Sequence, residues 1–142
     1  MSLVIDASMA LAWHVTRADS NEAGVAQQAI HTVLSGSALI PQLWFVEVAN
    51  ALLTAERRQV SNRLATTRFL ADLDALPITV DSSAPSDLRP EILRLGRLYD
   101  LTAYDATYLE IALRTQSPLA TFDRKLAKAC RQSGVVVFGD QP

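Results

Sequence analysis

One cysteine, two histidines and five glycines are all that 142 residues contain of these types. The single thiol, Cys130, excludes an internal disulfide framework and suits a reducing cytosol. Long apolar runs are also missing. None approaches the roughly 18 to 20 residues needed to cross a bilayer, so no membrane anchor is expected. The opening, MSLVIDASMALAWH, lacks the basic segment and small-residue cleavage site of a secretory leader. Because LVID reads as a core strand, the mature protein is expected to begin here. Neither sign of charge dominates. A net charge of −2 gives little non-specific hold on a nucleic-acid backbone, although divalent ions at an acidic site would reverse the sign locally. There is no repeat, low-complexity tract or dividing linker. What remains is an ordinary globular composition, 49% hydrophobic and 20% charged. One domain over residues 1–142, with a sizeable core, is expected.

Short apolar runs alternate with helical stretches. Strands are expected at Leu3 to Ile5, Ala38 to Ile40, Ile78 to Val80, Pro118 to Thr121 and Val135 to Phe138. Ser8 is a candidate cap for a short helix over SMALAWH. Ser20 or Asn21 starts a helix to about Leu34, and another runs from about Leu43 to Arg58. Ser61 caps a helix to about Leu76. DSSAPSDLRP, with its two prolines, reads as a loop before a helix from about Glu91 to Tyr99. Helices from Thr102 to Arg114 and from Asp123 to Gln132 follow, the last stopped by Gly134. The alternation predicts an α/β fold, with a central, mainly parallel sheet of about four to five strands flanked by helices.

Four acids stand out against this frame. They occur in LVIDAS (Asp6), WFVEVANAL (Glu47), TAYDATYLEIA (Asp105) and LATFDRKL (Asp123). Each lies where an apolar run ends or a helix begins. In open α/β sheets, ligands sit beyond the carboxyl ends of the strands. Asp6 directly follows the first strand, Asp123 follows the fourth after Phe122, and Glu47 lies in the first turns of the helix after the second. Asp105 shares a helical face with Tyr108, Leu109 and Ala112, while Thr107, Glu110 and Arg114 mark the opposite face. An unpaired carboxylate on the apolar side is costly. Glu47 shares a face with Asn50, Ala51 and Thr54, compatible with a polar cleft or with solvent. Clustered carboxylates raise one another's pKa unless a cation offsets them. Oxygen ligands without histidine or cysteine favour Mg²⁺ or Mn²⁺ over zinc. The chemistry that suits such a cluster is metal-assisted phosphoryl transfer to water.

With an Asp closing the first strand (VIDAS), an E-x-x-N pair (Glu47 and Asn50), AYDA (Asp105) and T-x-D (Thr121 and Asp123) in this order, the chain resembles the PIN-domain ribonucleases. More narrowly, it resembles the VapC toxins of bacterial toxin–antitoxin pairs, over nearly its whole length. The resemblance implies a PIN-like fold and a cytoplasmic endoribonuclease dependent on Mg²⁺ or Mn²⁺. It implies Asp6, Glu47, Asp105 and Asp123 as the catalytic and metal-binding quartet, with Asp6 and Asp105 the foremost direct ligands and Glu47 and Asp123 acting directly or through waters. Thr121 would orient Asp123 or a water, Asn50 would support Glu47, and Ser8 would touch a metal-bound water. It also implies an RNA substrate, a homodimer and a small antitoxin partner.

Three of the four acids have plainer alternatives. Asp123 also reads as a helix cap alone, and Asp105 and Glu47 as partners of a helix dipole. Asp81 ends the strand-like ITVD without a matching motif and is read as structural. Ser8 has no histidine placed to activate it as a nucleophile. His14 and His31 read as surface or packing residues, Trp13 and Trp44 as core, and Cys130 as packed and inert. Arg57, Arg58 and Arg63 read as a solvated helix end, with Arg124, Lys125 and Lys128 better placed for phosphate. A receiver domain would need an early acidic pair, and a haloacid-dehalogenase-type phosphatase an Asp where Ser8 stands. A 5′-nuclease would need more chain to grip a duplex or flap. The non-enzymatic alternative is a PIN-like module that binds RNA or protein without catalysis.

Overall fold

Leu3, Val4 and Ile5 have no solvent exposure at all. A run buried on both faces belongs at the centre of a parallel sheet covered by helices, and a computed structural model of the protein places it there. The structure describes residues 2–141; Met1 and Pro142, the ends of the domain expected over 1–142, lie outside the described residues. The elements are β1 (Ser2–Ile5), α1 (Ala7–Ala12), α2 (Ser20–Ser35), β2 (Ser37–Ile40), α3 (Leu43–Arg57) and α4 (Arg63–Asp74). Then come β3 (Ile78–Val80), α5 (Pro85–Tyr99), α6 (Ala103–Thr115), β4 (Leu119–Ala120) and α7 (Arg124–Ser133). All four strands are parallel, in the order β3-β2-β1-β4. Val4 pairs with Leu39 on one side and Leu119 on the other. The chain thus steps outward from β1 to β3, then returns to add β4 on the far side of β1. That reversal opens a crevice at the carboxyl ends of β1 and β4. The expected α/β sheet flanked by helices is what the chain forms.

Three local expectations need correction. Val135 to Phe138 does not form a fifth strand. Only Val137 bridges to Leu119, although Leu119 N–H donates to the Val136 carbonyl and Phe138 N–H to the Leu119 carbonyl, both at 2.9 Å. The segment alternates buried Val135, exposed Val136 and buried Val137 as a strand would, but β4 is two residues long and offers no longer ladder. The stretch DSSAPSDLRP is not all loop either. Pro85 occupies the first turn of α5, where a missing N–H costs nothing. Pro90 lies inside that helix and removes one backbone bond. The stripe Leu88, Ile92, Leu95 and Tyr99 runs through it at helical spacing, with Leu95 fully buried. Packing of α5 along α6 outweighs the lost bond.

The caps also differ. Asp6, not Ser8, caps α1, and Asn62, not Ser61, caps α4 through Ala65 N–H at 2.9 Å. Asp19 caps α2. Gly134 ends α7 with φ of 87°, a conformation that favours glycine. Trp13 donates its indole N–H to the Ala26 carbonyl at 2.9 Å, and Trp44 is buried. His14 stacks on Phe69 and bonds Ser61 at 2.6 Å, a packing role. Cys130 is fully buried, and burial pushes its thiol up to about 12, leaving it inert. No helix among the described residues is long and apolar enough to cross a membrane.

Candidate active site

Asp6 leaves β1 and caps α1, accepting Met9 N–H on Oδ1 at 3.0 Å. The same oxygen accepts the Ser8 hydroxyl at 2.6 Å. Its other oxygen, Oδ2, accepts the Thr121 hydroxyl, which arrives from beyond β4. Only 5% of Asp6 is exposed. Burial pushes its carboxyl up to about 6 despite those hydrogen bonds, and the Asp123 charge adds to the rise.

The two hydroxyls work in both directions. Thr121 Oγ1 accepts Asp123 N–H at 2.9 Å, and Ser8 Oγ accepts Phe122 N–H at 2.9 Å. Each therefore ties Asp6 to the backbone of the segment after β4. Thr121 and Ser8 have partners on both sides, which fixes the spacing between the two strand ends. Asp123 then caps α7, accepting Leu126 N–H on Oδ1 at 2.9 Å. Its Oδ2 has no hydrogen bond among the described residues. Capping uses one oxygen and leaves the other.

Asp105 opens α6, which Thr102 caps through Asp105 N–H at 3.2 Å. Its side chain makes no hydrogen bond among the described residues. Burial pushes its carboxyl up to about 6, and the charges of Asp123, Asp6 and Glu47 push in the same direction, against Lys125. The charges of the other three acids thus all bear on this one carboxyl. Tyr108, Leu109 and Ala112, on its face of the helix, are buried as the spacing predicts. The opposite face differs from expectation. Glu110 is only 4% exposed, because Arg114 reaches back to it at 2.8 Å and forward to Asp81 at 2.9 Å. Asp81 is therefore occupied structurally, in a network that ties the end of β3 to α6.

Glu47 is half-buried on α3, not free in solvent. Its Oε1 accepts the hydroxyl of Tyr108 at 2.5 Å. Burial raises its carboxyl, and the Tyr108 bond partly offsets that. Asn50 is exposed and makes no hydrogen bond to Glu47 among the described residues. The support expected from Asn50 comes from Tyr108, a residue the sequence analysis placed only on a buried face. A tyrosine there needs a partner for its hydroxyl, and that was the available signal. Arg17 was also passed over. Its guanidinium lies 4.7 Å from the centre of the Phe122 ring, directly before Asp123.

Asp6 and Asp123 therefore lie together where β1 and β4 end, tied through Thr121, while Glu47 on α3 is joined through Tyr108 to α6, which carries Asp105. Among the described residues, no group of three or more Asp, Glu, His or Cys side chains is arranged to hold a metal ion by itself. The donors are all oxygens, the kind that hard cations take.

The family model described as "PIN domain" matches residues 3–132. The chain belongs to the PIN-domain family. The PIN domain is 34% identical, over 89 residues, to proteins named Ribonuclease VapC1 from two strains of Mycobacterium tuberculosis. That stretch covers 63% of this chain and 65% of each relative, so the match spans just under two-thirds of their length. Among solved structures, PAE2754 from Pyrobaculum aerophilum matches with a TM-score of 0.65 at 24% identity, covering 91% of this chain and 84% of that one. A chain from a toxin–antitoxin complex of Klebsiella pneumoniae matches with a TM-score of 0.63 at 17% identity, covering 99% of each. At these identities the two structures speak for the PIN fold.

Proposed function

We propose that this PIN domain is an endoribonuclease that hydrolyses RNA phosphodiester bonds with Mg²⁺ or Mn²⁺. We further propose that it is the toxin of a toxin–antitoxin pair, acting in the cytoplasm as a homodimer and restrained by a small antitoxin. The observation that carries the reading is the tie between two strand ends, where Thr121 donates to Asp6 Oδ2 and accepts Asp123 N–H, holding two of the acids together. The relatives named as ribonucleases support the activity, and the neighbour from a toxin–antitoxin complex supports the partner.

The donor set fits a hard divalent ion. Mg²⁺ keeps several waters and takes only one or two carboxylates directly, so no tight group of three is required. When bound, such an ion polarises a phosphoryl oxygen, generates hydroxide from water and stabilises the leaving oxygen. The chain's own residues hold the site ready. Asp6 has about four acceptor positions. Met9, Ser8 and Thr121 fill three, leaving one on a side chain that cannot turn. Asp105 accepts no hydrogen bond among the described residues, and its charge is offset only in part, by Lys125. Asp123 offers Oδ2 while α7 holds its other oxygen. Lys125 and Arg17 are the nearby cations for substrate phosphate, and each would have to share its charge with a present partner, Asp100 at 3.4 Å and Glu22 at 3.2 Å.

The test is incubation of the purified protein with a mixed RNA pool in Mn²⁺ or Mg²⁺, then with chelator. Cleavage is expected only with the ions. Asp6→Asn and Asp105→Asn should each abolish it while far-UV circular dichroism stays unchanged. Cleavage that persists in chelator, or in either variant, would overturn the mechanism. RNA binding without cleavage would favour a non-catalytic module instead.

A further inference from the structure

We propose that Tyr108 is a positioning residue for the cation site: its hydroxyl holds Glu47 by Oε1 and leaves Oε2 as the oxygen offered to a divalent ion or its water. Tyr108 acts on the cation site proposed above, so this role rests on that reading.

Four observations converge. The hydroxyl lies 2.5 Å from Oε1, across 61 residues of chain. Tyr108 is 1% exposed and cannot swing out to water. It stands one helical turn after Asp105 on α6, while Glu47 sits on α3. A single bond therefore joins the two helices that carry two of the four acids. Finally, Glu47 has no other hydrogen bond among the described residues, so without Tyr108 its long side chain would be unrestrained.

A buried tyrosine needs some acceptor wherever it lies. The distinguishing claim is that its effect on the cation passes through Glu47. Partners that orient a ligand are worth about 10- to 100-fold in metal affinity. Mn²⁺ alone, titrated calorimetrically into the full chain, should bind Tyr108→Phe about 10-fold more weakly than wild type. In a Glu47→Gln background, adding Tyr108→Phe should change the affinity by less than about 2-fold, because coupled residues do not act additively. A second measurement needs no variant. The buried hydroxyl proton of Tyr108, followed by NMR in the wild-type protein, should shift when Mg²⁺ is added. Wild-type affinity in Tyr108→Phe, an undiminished loss in the Glu47→Gln background, or an unmoved hydroxyl proton would each overturn this role alone. A wild-type protein that binds no Mn²⁺ would overturn the cation site with it.

Discussion

Asp6 accepts three hydrogen bonds, and burial still holds its carboxyl at about 6 against an ordinary 3.8. A carboxyl raised on folding keeps its proton more readily in the folded chain than in the unfolded one. Its contribution to stability is therefore complete below pH 3.8 and is lost as the pH rises through about 6. The gap corresponds to about 3 kcal/mol. The metal-free protein should accordingly be less stable at pH 7 than at pH 4.5 in urea titrations. Asp6→Asn, which has no proton to lose, should reduce that difference and leave the share of Asp105, also raised to about 6; an equal pH dependence in the variant would count against the Asp6 carboxyl as a source. Residues of this kind were partly legible in sequence. Asp105 could be placed on a buried face from helical spacing alone. Glu47 could not be placed, because the group that holds it lies 61 residues away on another helix. Local spacing carries no record of such a bond.

Among the elements, α7 shows one side chain with two duties. Asp123 caps the helix with Oδ1 and leaves Oδ2 for the acid cluster. Asparagine caps about as well as aspartate, whereas alanine costs about 1 kcal/mol. Asp123→Asn should therefore lose RNA cleavage at near wild-type stability. Asp123→Ala should lose both, with the unfolding midpoint reporting the cap. The strand-and-helix alternation was readable because apolar runs and caps are local signals. The start of α5 was not, since proline in a sequence reads as an interruption. Whether Pro90 breaks a helix depends on the packing of Leu88, Ile92 and Leu95 against α6. The unformed fifth strand fails for a related reason. Val135 to Val137 has the right alternation, but a ladder also depends on the length of its neighbour, and β4 supplies two residues.

For the whole molecule, the four acids belong to elements that meet only in the finished sheet. A divalent ion that binds this arrangement and not the unfolded chain should raise its stability. At 100 times its dissociation constant, the gain is about 2.7 kcal/mol. Because Asp6 and Asp105 hold protons up to about 6, cation and proton compete. The Mn²⁺-induced rise in melting temperature should thus be larger at pH 7 than at pH 5; equal rises would argue against these carboxyls as ligands. The placement of β4 beside β1 also sets a clock. Asp6 is made well before the hydroxyl that completes its surroundings, which lies 115 positions later. At ribosomal rates of about 5 to 20 residues per second, the wait is roughly 6 to 23 s. During that interval a growing chain has the first acid but no assembled edge to use it. A site built this way stays incomplete until the segment after β4 has been made and has folded against the end of β1.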